Sequence, residues 1–168
     1  RGQEDISLVK KTINLFINSP EENKSNFFTS PLFIMGLLAF IILGITYKDF
    51  KNKIRSRWLD ISIYSITGII GVLLLLLWFA TDHYTTHNNY NLLWAFPLSL
   101  FFVLAISKKN PKPWLKRYVF FQILMLTLLS IHWITGIQVF TYGLIPLLIA
   151  LLVRYLYLVF YFKNTLVR

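Results

Sequence analysis

The chain has 168 residues, of which 56% are hydrophobic, 17% aromatic and only 14% charged, with no cysteine and a formal net charge of +10. Soluble domains run near 45–50% apolar and about 25% charged, so this composition excludes a soluble globular enzyme, a disulfide scaffold and a disordered tail. The apolar residues are also blocked, with Leu73 to Phe79 wholly apolar and Leu92 to Ile106 free of charge, which is the composition of an integral membrane protein.

The sequence opens on Arg1 and a polar stretch, without an initiator Met or a signal peptide, so it is expected to be a processed or C-terminal piece of something longer. Within residues 1–30, Ile6, Val9, Ile13, Phe16 and Ile17 recur at helical spacing, with Glu4, Lys10, Lys11 and Asn14 elsewhere on the wheel. Asn18-Ser19-Pro20 ends that helix, and Ser19-Pro20-Glu21-Glu22 has the form of a capping box for a second, short one. Two readings stay open for this segment: packing on a neighbouring domain, or lying in the membrane interface.

A helix needs about 20 residues to cross the hydrocarbon core, and five segments meet or approach that length. The first runs over about 31–47, opened by Thr29-Ser30-Pro31, a cap followed by proline at the first helical position. The second covers about 59–80 and the third about 91–107, where Pro97 is expected to kink the helix or end a first turn. The fourth covers about 114–135 and the fifth about 139–162, leaving 163–168 as a tail. The fold class is therefore all-α, with five transmembrane helices over 31–162.

Orientation follows from the loops. Lys48, Lys51, Lys53, Arg55 and Arg57 lie between spans one and two, and Lys108, Lys109, Lys112, Lys116 and Arg117 between spans three and four. The loops 81–90 and 136–138 carry no Lys or Arg. By the positive-inside rule the basic loops and the tail are cytoplasmic, and the N-terminal segment is outside. The positive charge then reports topology, and no nucleic-acid partner is expected.

Polar groups inside a bilayer are costly and mark function or packing. After Asp60 the only acidic residue is Asp82, within Thr81-Asp82-His83-Tyr84-Thr85-Thr86-His87-Asn88-Asn89-Tyr90-Asn91 at the outer mouth of spans two and three. His132 lies near the outer end of span four, so all three histidines fall on one side. Three readings compete: a structural loop in which Asp82 orients a histidine and the asparagines cap span three; a pocket for head groups or for a neighbouring catalytic domain; and a metal site from Asp82, His83 and His87. The i,i+4 histidines suit a metal-binding helix, but Thr85-Thr86 and the asparagines favour a turn, so no metal and no cofactor are expected. Arg154 is the other outlier, within snorkelling reach of the inner surface. Asp60 is its natural partner in a structural pair, with anionic-lipid binding as the alternative. Trp78, Trp94, Trp114, Trp133, Tyr142 and Tyr161 fall near span ends as an aromatic belt. Gly68 and Gly71, with Ser62 and Ser65, give span two a small face for close helix contact.

The run Leu77-Trp78-Phe79-Ala80-Thr81-Asp82-His83, followed by Asn88-Asn89-Tyr90-Asn91-Leu92-Leu93-Trp94-Ala95-Phe96-Pro97, resembles the C-terminal five-helix membrane domain of the Lnb-type lipoprotein N-acyltransferases of Gram-negative envelopes. The resemblance covers about residues 31–162 and is sharpest over 77–97. It implies transfer of an acyl chain from a membrane phospholipid to the amino group of a diacylglyceryl-cysteine lipoprotein, in the bacterial inner membrane. The family nucleophile is a cysteine on a periplasmic papain-like domain, which here has to lie upstream or on a cleaved partner chain. Asp82, His83, Asn88, Asn89, Asn91, Trp94 and Pro97 match the family's membrane signature, and with His87 and His132 they are the candidate floor of the site. Two alternatives remain at this stage: a non-catalytic anchor or subunit of a larger envelope complex, and, more weakly, a small transporter, disfavoured because no acid lies at mid-membrane.

Overall fold

The computed structural model describes residues 26–80, 88–109 and 112–166, and all regular structure among them is helical. The helices are α1 (Pro31–Asn52), α2 (Arg57–Ala80), α3 (Ser99–Ile106), α4 (Trp114–Ile134) and α5 (Ile145–Leu166), with short 3-10 turns at Phe27–Thr29, Tyr90–Leu93 and Tyr142–Leu144. Among the described residues four helices are long and apolar enough to cross a membrane: α1, α2, α4 and the last, counted over Tyr142–Asn164. The helices of residues 1–25 expected from periodicity lie outside the described residues.

The first helix begins where its sequence predicts. Ser30 accepts a hydrogen bond from the Phe33 N–H through its side chain, and Pro31 takes the first position, where its missing N–H costs nothing. It ends at Lys53, whose φ of 54° puts it in the left-handed region and turns the chain back after α1. A tight connection then leads into α2, which starts two residues before the expected position, at Arg57.

Burial is inverted relative to a soluble protein. Phe40 is 76% exposed and Phe101 77%, whereas Asp49, Asp60 and Arg154 are each 0% exposed. Large apolar side chains cover the outside and these three charges are folded in, the arrangement that a hydrocarbon solvent selects. The last helix is central, with α1 on one side and α4 on the other, and it buries Ala150, Leu151, Tyr155 and Leu158 between them. The second helix lies along α3 and meets the others through Tyr64, whose ring centroid is 5.9 Å from those of both Tyr118 and Tyr155.

The third expected span differs from its prediction. It is not a helix over 91–107 but a 3-10 turn, an irregular stretch through Pro97, and an α-helix of only 8 residues. Pro97 has no N–H to donate, and the helical hydrogen bonds resume just past it, from the Ser99 N–H to the Phe96 carbonyl and from Leu100 to Pro97. Irregular backbone at membrane depth has to be covered by protein, and α2 covers it with its glycines. A Cβ at Gly71 would lie 2.2 Å from the Ala95 carbonyl oxygen and 2.6 Å from the Pro97 nitrogen, and one at Gly68 would lie 2.7 Å from the Leu100 nitrogen. The small face of α2 thus receives a broken segment, backbone against backbone. On its other side α3 is tied to α4 by buried Ser99, which is 3.0 Å from the Tyr118 hydroxyl and accepts from the Gln122 amide at 3.0 Å.

Candidate functional site

Two polar assemblies stand at opposite ends of the bundle. At the end carrying the basic loops, Arg154 reaches from α5 into the start of α2. Its Nε donates to Asp60 Oδ1 at 2.8 Å, its Nη1 to Asp49 Oδ2 at 2.8 Å and its Nη2 to the Ser56 carbonyl at 3.2 Å. Asp60 also accepts from Arg55 Nε at 2.7 Å, and Asp49 accepts from both the N–H and the hydroxyl of Ser56, at 2.8 and 2.7 Å. Tyr157 closes the assembly by donating its hydroxyl to the backbone carbonyls of Asp49 and Ile54.

Two guanidinium groups thus face two carboxylates, so the net charge of the assembly is zero, and the planar fork of Arg154 spans α1, the connection and α2 at once. Asp60 sits in the first turn of α2, where the helix dipole favours an anion. Arg154 and Asp60, expected to meet, are in contact. Asp49, Ser56 and Tyr157 were not anticipated as partners. With its side chain 0% exposed, the Arg154 guanidinium offers no surface to a lipid head group. Arg55 and Arg57, counted above as topology signals, also cap α3: Arg55 donates to the Ile106 carbonyl and Arg57 to that of Ser107 at 3.2 Å.

The other assembly lies at the opposite, asparagine-rich end. Asn88 holds a φ of 56°, which asparagine tolerates better than most residues. The Asn89 side chain caps the 3-10 turn, accepting from the Asn91 N–H at 3.1 Å and from the Asn91 amide at 2.8 Å. The Asn91 side-chain Oδ1 in turn accepts from Trp94 Nε1 at 2.9 Å, so Trp94 is pinned to the turn. The Tyr90 N–H donates to Gln138 Oε1 at 2.8 Å, joining this turn to the α4–α5 connection.

His132 completes the assembly from α4, with its ring centroid 4.8 Å from that of Tyr90. Its Nδ1 lies 2.8 Å from the Leu128 carbonyl oxygen. A carbonyl only accepts, so Nδ1 carries the proton, and in the neutral ring Nε2 is left as an acceptor with no partner among the described residues. The structure therefore brings together Asn89, Asn91, Trp94 and His132 of the expected site and adds Tyr90 and Gln138. Pro97 lies deeper, against Gly71. Asp82, His83 and His87 fall outside the described residues. Gln138 carries no sequence signal beyond being a polar residue between two spans.

Chemically, this end offers amide and imidazole groups on an aromatic frame, which suits binding and orienting a polar group. The assembly at the other end is a charge-neutral lock.

The family comparison agrees with this architecture. The chain matches the Lnb transmembrane domain over residues 21–165, most of its length. No curated protein and no solved structure matches it. It is a multi-pass membrane protein, and it belongs to the Lnb transmembrane domain family.

Proposed function

We propose that this chain is the membrane domain of an envelope lipoprotein N-acyltransferase, carrying a periplasmic catalytic domain and orienting the lipid substrates beneath it. The observation that carries the reading is the match to the Lnb transmembrane domain over residues 21–165. In this reading the basic loops face the cytoplasm, and the asparagine-rich end lies at the outer interface of the inner membrane. Donor phospholipid and acceptor lipoprotein both present their reacting atoms at that interface. The assembly of Asn89, Asn91, Trp94, His132 and Gln138, together with Asp82, His83, His87 and Asn88, would hold head groups or the modified lipoprotein terminus there.

The role of these residues is positioning, since the nucleophile belongs to the catalytic domain. Holding two lipids at one spot supplies proximity and orientation, the contribution most sensitive to small displacements. His132 contributes a hydrogen-bond acceptor at Nε2, suited to the amino group that receives the acyl chain.

The test uses the full-length protein with Asp82→Asn, His83→Ala and, separately, His132→Ala. N-acylation is read by mass spectrometry of a lipoprotein's N-terminal peptide, with membrane levels of the enzyme measured alongside. The expected result is a loss of between about 10- and 100-fold at unchanged membrane level. Normal acylation in all three variants would reduce this domain to a non-catalytic anchor.

A further inference from the structure

A groove of about 510 Å³ runs along the outside of the bundle between α1 and α5, toward the basic end, walled by Leu43, Tyr47 and Phe50 on one side and Val153, Leu156 and Phe160 on the other. Its size falls within the range of about 300–1,000 Å³ typical of small-molecule sites. Eight residues of helix on each wall, from Leu43 to Phe50 and from Val153 to Phe160, give it a length of about 10 Å. Of the three hydroxyls among its lining residues, two are engaged elsewhere, and the third belongs to Tyr47, an exposed residue on the α1 wall. Thr46 donates its hydroxyl to the Ile42 carbonyl at 2.7 Å, and the Tyr157 hydroxyl donates to the backbone of Asp49 and Ile54. A chain lying in the groove therefore meets mostly carbon, with the Tyr47 hydroxyl as the exception.

At the basic mouth of the groove the chemistry changes. Lys51 follows Tyr47 by one helical turn on α1, and Lys163 follows Phe160 by three residues on α5. Both lysines are exposed, and neither has an ion-pair partner among the described residues. The two described acidic residues, Asp49 and Asp60, are buried and already neutralised by Arg154 and Arg55. The positive field at the mouth is thus uncompensated.

An apolar slot as long as part of an acyl chain, with exposed Lys51 and Lys163 one turn or less beyond its last residues, fits one class of ligand. We propose that the groove between α1 and α5 binds an anionic phospholipid from the leaflet at the basic end, with an acyl chain between the helices and the phosphate between Lys51 and Lys163. The site is at the opposite end from the assembly around His132, and it stands whether or not the chain takes part in acyl transfer.

The purified full chain in mild detergent, offered equimolar phosphatidylglycerol and phosphatidylethanolamine, is read by native mass spectrometry. Phosphatidylglycerol, the anionic one of the two, should be retained preferentially. Lys51→Gln combined with Lys163→Gln should cut that preference by about 25-fold, at about 5-fold for each lysine near a lipid surface. Lys116→Gln with Arg117→Gln, at the same end of the bundle but away from the groove, should leave it intact. Val153→Trp, which fills the slot, should weaken retention of both lipids. Equal retention of the two lipids by the unaltered protein overturns the proposal, as does an equal loss in the Lys116/Arg117 control or an undiminished preference in the Lys51/Lys163 variant. If Val153→Trp fails to fold by circular dichroism, the lysine variants, altered only on the surface, decide alone.

Discussion

At the scale of single residues, Arg154 is the most consequential side chain. Removing one member of a buried, hydrogen-bonded ion network strands the others without water. Arg154→Gln leaves Asp49 without a cation and Asp60 with Arg55 alone, and is expected to destabilise the bundle by about 3–5 kcal/mol. The measurement is thermal or denaturant unfolding in detergent. Arg154→Lys should recover only part of the loss, because an ammonium cannot span two carboxylates and the Ser56 carbonyl in one plane. A variant as stable as the original would remove the lock from this account. Arg154 and Asp60 were legible in the sequence because a lone charge in an apolar run is conspicuous. Asp49 was not, because among Lys48, Lys51 and Lys53 it reads as one more surface charge, and only the turn at Lys53 folds it inward. Tyr157 was hidden because its partners are backbone carbonyls of Asp49 and Ile54, which no side-chain pattern marks.

At the scale of elements, the broken third segment and α2 form one unit. Gly71→Ala would drive a methyl group into the Ala95 carbonyl and the Pro97 nitrogen. Backbone cannot step aside as a flexible side chain can, so the two elements have to separate. The expected cost is about 1–3 kcal/mol, the usual range for overpacking a core. Gly44 on α1 is the internal control: a Cβ there meets nothing within 4 Å. Gly44→Ala should be neutral or stabilising by up to about 1 kcal/mol, since alanine is the better helix former. Comparing the two unfolding midpoints separates steric exclusion from propensity, and equal effects would refute the close approach. The sequence marked Gly68, Gly71 and Pro97 separately. Their meeting was not legible, because hydropathy counts apolar residues and does not see that Pro97 leaves the backbone irregular until Ser99. The long helices were better specified: α4 begins at Trp114 as expected, and α1 begins at its Ser30-Pro31 cap.

At the scale of the whole molecule, the chain alternates direction so that both assemblies gain members from distant segments. Arg55 and Arg57 reach the end of α3 at one extremity, and Tyr90 reaches Gln138 at the other. Which extremity faces the cytoplasm decides what the asparagine-rich assembly can do. Residues 1–168 carry no cysteine, so once the proposed catalytic cysteine outside them is replaced, an introduced thiol can be read alone. Ile137 is 58% exposed in the α4–α5 connection, and Lys109 is exposed beyond α3. In cells with a permeabilised outer membrane, a membrane-impermeant maleimide is expected to label Ile137→Cys directly and Lys109→Cys only after lysis. The physical reason is the cost of moving ten clustered cations across the bilayer (five in each basic loop). The reverse pattern would do more than invert a diagram. It would set the His132 assembly in the cytoplasm, out of reach of a periplasmic nucleophile, and the acyl-transfer reading would fall with it, whereas the lipid groove would merely exchange leaflets.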